Sequence, residues 1–260
     1  MRLSSPLNEL LNKSDRENVF LFLDYDGTLA EFAPNPDIVL PDQELILLLR
    51  ELNKLKFVKL AVVSGRRLSH IQDLVPIKGI WLAGSYGIEL ISPEGEEIDL
   101  LQFEELRPKL EEIKPYWQSI VGERDDFYLE DKGWSIAIHA NGKNKIEVGQ
   151  VLQMASKIDP PSGFILQGND HFLELCPPEA EKGNAIDFIL RKYTTNNLLP
   201  IFIGDDDKDE SAFQKIQQYG GFGIIVATNP QATNANYYLP HPENVRNWLK
   251  VFLESKRTNS

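Results

Sequence analysis

The chain has 260 residues and carries 27 Lys and Arg against 39 Asp and Glu, a formal charge of -12. That balance excludes binding driven by neutralising nucleic-acid phosphates, and a single cysteine, Cys176, excludes an internal disulfide or a cysteine-held zinc. No apolar run reaches the roughly 18 residues of a membrane helix. The spacing of Leu3, Leu7, Leu10 and Leu11 suits a helix, but intervening polar residues deny it a signal-peptide core. A cytoplasmic chain is expected, with a frayed tail over Arg257 to Ser260.

Five consecutive apolar residues, Val19 to Leu23, run straight into Asp24-Tyr25-Asp26-Gly27-Thr28. An apolar run this short, bounded by a turn, predicts a strand buried on both faces, as in a parallel sheet. Ligands of open α/β sheets bind beyond the carboxyl ends of the strands, which puts Asp24 and Asp26 where a ligand belongs. A loop with Pro34, Pro36 and Pro41 follows, then a helical face of Leu45, Leu48, Leu49, Leu52 and Leu55. A second buried run, Leu60 to Val63, ends in Ser64-Gly65-Arg66-Arg67, and a third, Ile80 to Ala83, ends in Gly84-Ser85-Tyr86-Gly87. Ser64 suits either a phosphate contact or a helix N-cap. Strand, helix, strand, with polar residues recurring at the strand ends, predicts a doubly wound α/β domain.

The pattern then changes. Leu101 to Ser119 predicts a charged amphipathic helix, and Phe127 to His139 predicts two strands about Asp131-Lys132-Gly133. Lys145 to Ile158 predicts a helix stopped by Pro160-Pro161. Phe164 to Leu166 and Phe172 to Leu175 flank Gly168-Asn169-Asp170, a second hairpin signal. The first pattern resumes with a helix opened by Lys182-Gly183, a buried strand from Pro200 to Ile203, and the acidic run Gly204-Asp205-Asp206-Asp207-Lys208-Asp209-Glu210. A helix to about Tyr219, a strand from Gly223 to Ala227 and a closing helix from Glu243 to Ser255 complete the chain. The expected organisation is a core in two parts, residues 1–102 and 179–260, around an α+β insert at 103–178.

The strand-end residues Asp24, Asp26, Ser64, Lys182, Asp205 and Asp209 form one chemical kit. Three carboxylates without a His cluster suit a hard cation such as Mg²⁺. A carboxylate can attack phosphorus once cations reduce the repulsion, a second can protonate the leaving oxygen, and a lysine can meet a phosphate. Each residue also has a bland role as a surface acid or helix start; the ordered set does not.

Asp24-Tyr25-Asp26-Gly27-Thr28, Ser64, Lys182 and the acidic run from Gly204 to Glu210 resemble the four motifs of the haloacid dehalogenase superfamily. The insert resembles the cap of its sugar-phosphatase branch. Ser64-Gly65-Arg66, Gly84-Ser85-Tyr86-Gly87-Ile88-Glu89, Glu130-Asp131-Lys132-Gly133 with His139, Leu173-Glu174-Leu175, Lys182-Gly183-Asn184-Ala185 and Tyr238-Leu239 resemble trehalose-6-phosphate phosphatases. The resemblance implies a Mg²⁺-dependent phosphatase with a doubly wound core and a mobile α+β cap. It implies Asp24 as nucleophile, Asp26 as general acid and base, and Ser64 and Lys182 on the phosphoryl oxygens. Asp24, the Asp26 carbonyl and Asp205 are implied as metal ligands, with Asp209 supporting them directly or through water. Gly65, Arg66, Glu130, Lys132 and Glu174 are implied in substrate binding. Tyr86 stands where the family usually has His, and Asn141 where it usually has Arg. No sugar-transferase half is fused to the chain, so a synthase would be a separate partner.

The rivals are the same chemistry on a glycosylglycerate or sucrose phosphate, a phosphomutase, a receiver domain and a glycosidase. A receiver needs neither an insert nor Asp26. A glycosidase would leave Lys182 and the metal acids unexplained.

Overall fold

The computed structural model describes residues 18–32, 39–141, 144–193, 197–229 and 232–258. The leucines at 3, 7, 10 and 11, Pro34 and Pro36, and the final Asn259-Ser260 lie outside them. In chain order, β1 (Asn18–Leu23), α1 (Gln43–Asn53), β2 (Val58–Val63), α2 (Leu68–Leu74), β3 (Trp81–Gly84), β4 (Glu89–Ile91) and β5 (Glu97–Asp99) come first. There follow α3 (Phe103–Val121), β6 (Phe127–Asp131), β7 (Ile136–Ala140), α4 (Lys145–Ala155), β8 (Ile165–Asn169) and β9 (Phe172–Cys176). The chain closes with α5 (Lys182–Arg191), β10 (Leu198–Gly204), α6 (Glu210–Gln218), β11 (Phe222–Val226), β12 (Tyr237–Leu239) and α7 (Pro242–Thr258). Two compact units result, one of Met1–Ile98 with Glu181–Ser260 and one of Asp99–Ala180. Among the described residues, no helix is long and apolar enough to cross a membrane.

In the first unit the sheet order is β12-β11-β10-β1-β2-β3-β4-β5. The strands from β12 to β3 run parallel, and β4 returns antiparallel to β3. Val19 to Leu23 of β1 are buried on both faces, as the unbroken apolar run requires. Leu21 and Leu23 pack with Leu45 and Leu49 of α1 and with Trp248 of α7 on one side. On the other side Phe20 meets Tyr193, and Phe202 of β10 meets Phe213 of α6. Each such aromatic contributes about 1.5–3 kcal/mol through burial. Helices therefore cover both faces of the sheet, the doubly wound arrangement.

The topology fixes where a ligand belongs. After β1 the chain moves outward through β2 and β3; after the insert it returns on the opposite side of β1, through β10 and β11. The order reverses between β1 and β10, whose residues pair in register from Asn18↔Leu198 to Leu23↔Ile203. The crevice beyond the carboxyl ends of these two strands is the topological switch point of the fold.

The second unit is an antiparallel sheet of order β6-β7-β9-β8. Alternate residues Ile136, Ile138, Leu173 and Leu175 join Leu110, Trp117 and Val151 of α3 and α4 in its core. The period of two then puts Glu130, Ala137, Glu174 and Gln167, which pair across the strands, on the opposite face.

Candidate active site

Both strands at the switch point end in a carboxylate. Asp24 follows β1, and its backbone N–H donates to the Ile203 carbonyl of β10 at 2.9 Å. Asp205 follows β10, and Thr28 Oγ1 donates to its Oδ1 at 3.3 Å. Gly27 makes their approach feasible: it sits at φ +74°, and a Cβ there would lie 2.1 Å from Asp205 Oδ2. Asp209 orders the acidic loop from beneath. Its Oδ2 accepts from the Asp205 and Asp206 N–H groups at 2.8 and 3.2 Å, and its Oδ1 accepts from Lys182 at 2.5 Å. Lys182, the first residue of α5, also donates to Asp24 Oδ1 at 2.7 Å.

Asp24, Asp205 and Asp209 each offer a carboxylate oxygen within 4.8 Å of the others. Burial pushes the Asp24 carboxyl up to about 7, against the pull of Lys182. Burial, reinforced by Asp206 and Asp209, pushes Asp205 up to about 7 as well. Asp209 is raised by the same cause. Burial alone would lower Lys182, but Asp209 and Asp24 outweigh it and hold the ammonium well above the ordinary lysine range. Three carboxylates beside one ammonium leave two negative charges unbalanced when all are ionised. An all-oxygen donor set of that charge, largely withdrawn from water, fits a hard divalent cation.

The other residues singled out in the sequence divide by position. Ser64 ends β2, and its Oγ accepts from the Arg66 N–H at 3.1 Å, which leaves its O–H to donate elsewhere. It does not cap the next helix, which begins at Leu68 after Arg67. The Asp26 side chain stands outside the carboxylate cluster: Arg66 Nε and Nη2 each donate to it at 2.6 Å, a bidentate pair. The Arg66 guanidinium is thus committed to Asp26, with His70 and the Tyr25 ring as further neighbours. Gly65 has the Tyr86 ring 2.7 Å from where a Cβ would stand.

In the second unit Glu130, Lys132 and Glu174 come together on the face away from the helices. Lys132 Nζ lies 3.2 Å from Glu174 Oε1 and 3.7 Å from Glu130 Oε2. His139 Nε2 lies 2.8 Å from Glu130 Oε2. Ser135 Oγ donates to Glu174 Oε1 at 2.8 Å and Gln167 Nε2 to its Oε2 at 3.3 Å. Ser135 and Gln167 were not legible as site residues in the sequence. Only the strand register, which sets Gln167 opposite Glu174, reveals the second of them.

The chain matches the family described as trehalose-phosphatase over residues 22–243. It is 28% identical over 276 residues to trehalose-phosphate phosphatase B of Arabidopsis thaliana, covering 99% of this chain and 73% of the relative. Its structure is similar to that of the C-terminal domain of trehalose-6-phosphate phosphatase from C. albicans. There the TM-score is 0.84 and the identity 16%, over 97% of this chain and 99% of that one. A haloacid dehalogenase-like hydrolase from Bacteroides thetaiotaomicron has the same fold, with a TM-score of 0.63 at 16% identity over 90% of this chain and 99% of that one.

Proposed function

The chain belongs to the trehalose-phosphatase family, and from that premise we propose that it is a Mg²⁺-dependent phosphatase. It hydrolyses trehalose 6-phosphate to trehalose and phosphate through an aspartyl phosphate on Asp24. The observation that carries this reading is the gathering of Asp24, Asp205, Asp209 and Lys182 at the switch point, with Ser64 at the end of the neighbouring strand.

In the proposed sequence an Asp24 carboxylate oxygen forms a bond to phosphorus as the bond from phosphorus to the sugar oxygen breaks. Asp26 gives that leaving oxygen a proton. Asp26 then takes a proton from water, whose oxygen attacks phosphorus and frees Asp24. Asp24, Asp205 and the Asp26 carbonyl would hold Mg²⁺, with Asp209 in support. The ion when bound supplies positive charge against which two anions can approach. Lys182 holds one Asp24 oxygen, which orients the other. Both Asp26 oxygens accept from Arg66, so Asp26 must release at least one of them to serve as the acid. Asp26→Asn is expected to slow phosphoenzyme formation from an ordinary sugar phosphate by about 10²–10⁴-fold. It should slow it far less from p-nitrophenyl phosphate, whose leaving group needs no proton. Rapid-quench measurement on both esters checks this; equal slowing removes Asp26 from the acid role.

A phosphate dianion looks alike on any sugar, so Ser64 and Lys182 cannot choose among sugars. We assign that choice to the polar face of the insert, whose carboxylates and ammonium suit sugar hydroxyls. A site built to bond hydroxyls penalises a substrate lacking them, because its own polar groups are left unpaired. Glu130→Ala, Lys132→Ala and Glu174→Gln are each expected to lower kcat/KM for trehalose 6-phosphate by roughly tenfold to a thousandfold, about 1.4 to 4 kcal/mol. The same changes should leave p-nitrophenyl phosphate hydrolysis much less affected. Parallel loss on both substrates would assign the three residues to the fold instead.

The overall reading is tested by phosphate release from a panel of sugar phosphates with and without Mg²⁺. Trehalose 6-phosphate is expected to lead. Preference for sucrose phosphate would keep the chemistry and turn attention to Tyr86 and Asn141. Release from none of them would sink the reading.

A further inference from the structure

The turn that follows β1 begins with Asp24 and Asp26 and is closed on itself. The N–H groups of Leu29 and Ala30 both donate to the Tyr25 carbonyl at 2.9 Å, and the Gly27 N–H donates to the Ala30 carbonyl at 2.8 Å. The Leu29 carbonyl is held from outside the turn. Arg246 of α7, 217 positions away in sequence, donates to it through Nε at 2.7 Å. The same guanidinium donates through Nη1 to Asp42 Oδ2 at 2.5 Å. Asp42 is itself fixed, because its Oδ1 caps α1 by accepting from the Glu44 and Leu45 N–H groups at 2.9 and 3.2 Å. Arg246 also stands on a firm base. Its neighbours Val245, Trp248 and Leu249 are buried in the core that holds Tyr25, Leu29, Leu45 and Leu49.

We propose that Arg246 is a positioning residue of the phosphatase reaction, holding the Tyr25–Ala30 turn so that Asp26 presents its carboxyl to the leaving oxygen and its carbonyl to the metal. Asp26 has two tasks in the proposed reaction, one for its side chain and one for its backbone. Both depend on where this turn sits. The hydrogen bonds inside the turn fix its shape, whereas Arg246 fixes its place against α1 and α7. Arg66 holds the Asp26 side chain; Arg246 holds the backbone from which that side chain springs. A planar guanidinium suits the task, since its fork reaches two acceptors in set directions and its charge strengthens both bonds. The Asp42 carboxylate orients the guanidinium while Nε meets the Leu29 carbonyl. Without Arg246 that carbonyl must find another donor, and the turn shifts to reach one. A displacement of about 1 Å at a reacting group is enough to cost about 10²-fold in rate. On this account Arg246 and Asp42 touch neither substrate nor metal and act through Asp26. The inference deepens the phosphatase reading and rests on it.

The test compares the full chain with its Arg246→Met, Arg246→Lys and Asp42→Asn variants, by calorimetric titration with Mg²⁺ and by rapid-quench measurement of phosphoenzyme formation at saturating Mg²⁺. Arg246→Met is expected to weaken Mg²⁺ binding about tenfold, the scale of a misplaced ligand. It should slow phosphoenzyme formation from trehalose 6-phosphate about 10²-fold, but from p-nitrophenyl phosphate by less than about tenfold, because that leaving group needs no proton from Asp26. Arg246→Lys keeps the charge but not the fork and should fall between Arg246→Met and the parent. Asp42→Asn keeps the α1 cap and should repeat the Arg246→Met pattern more weakly, with a loss of about threefold to tenfold on trehalose 6-phosphate, since the guanidinium loses a charge-assisted partner. A merely structural arginine would lower the melting temperature and leave both the Mg²⁺ affinity and the ratio between the two esters alone. A folded Arg246→Met with parental Mg²⁺ affinity overturns the proposal, and so does equal slowing on both esters. If Arg246→Met does not fold, Asp42→Asn decides by the same two measures, and loss of folding in both makes the pair structural and overturns it too. A parent chain that binds no Mg²⁺ or hydrolyses no sugar phosphate overturns the phosphatase reading, and the proposal with it. An active parent beside an unaffected Arg246→Met overturns the proposal alone.

Discussion

Asp24→Asn is expected to lower kcat by at least about 10⁴-fold, near 5.5 kcal/mol of transition-state stabilisation, while the chain stays folded. An amide of the same shape still offers Lys182 an accepting oxygen, but it is no nucleophile toward phosphorus. The fold should not suffer, for a reason specific to this site. Burial already disfavours the Asp24 carboxylate, pushing its carboxyl up to about 7. Replacing a group that resists ionisation by a neutral one removes a desolvation cost at neutral pH. The metal-free variant should therefore melt at the parent temperature or above it. Phosphate release and a thermal melt on one preparation check both halves. A folded variant that keeps more than about 1% of parental turnover would end the covalent mechanism.

How much of this was legible beforehand depended on what each residue faces. Val19 to Leu23 and Pro200 to Ile203 lie inside the sheet with both faces covered, so their apolar runs are unbroken and readable. The strands Glu89–Ile91, Glu97–Asp99 and Tyr237–Leu239 went unread. Three residues are too few to show a period, and they lie toward the sheet edges, where polar residues are tolerated. The carboxylates Asp24 and Asp205 were legible because strand ends in this architecture are where ligands sit. Their neighbours were not. Arg66, which the family resemblance implies in substrate binding, is paired with Asp26, forty residues earlier in the chain. Nothing local in sequence records a pairing over that distance.

Removing the metal is expected to stop the reaction, with less than about 1% of turnover left after exhaustive chelation, and Mg²⁺ should restore it better than Zn²⁺. The donors argue for this order: Asp24, Asp205 and Asp209 offer oxygen alone, and zinc prefers sites that include nitrogen or sulfur. The same carboxylates give a readout independent of turnover. Asp24 and Asp205 are pushed up to about 7 in the fold, against about 3.9 for an aspartate in an unfolded chain. Between those values the folded metal-free chain holds more protons than the unfolded one. These two groups therefore withdraw stability as pH rises from about 4 through about 7, and below about 4 they withdraw none. A bound cation needs them ionised, so its affinity climbs over the same interval. The rise in melting temperature caused by a fixed Mg²⁺ concentration should accordingly be small at pH 5.5 and grow toward pH 8. Asp205→Asn should flatten that growth, because it removes one of the raised carboxylates that must ionise to hold the ion. A Mg²⁺-induced shift that does not change with pH would place the ion elsewhere on this acidic chain, and full activity in demetallated protein would remove it from the reaction.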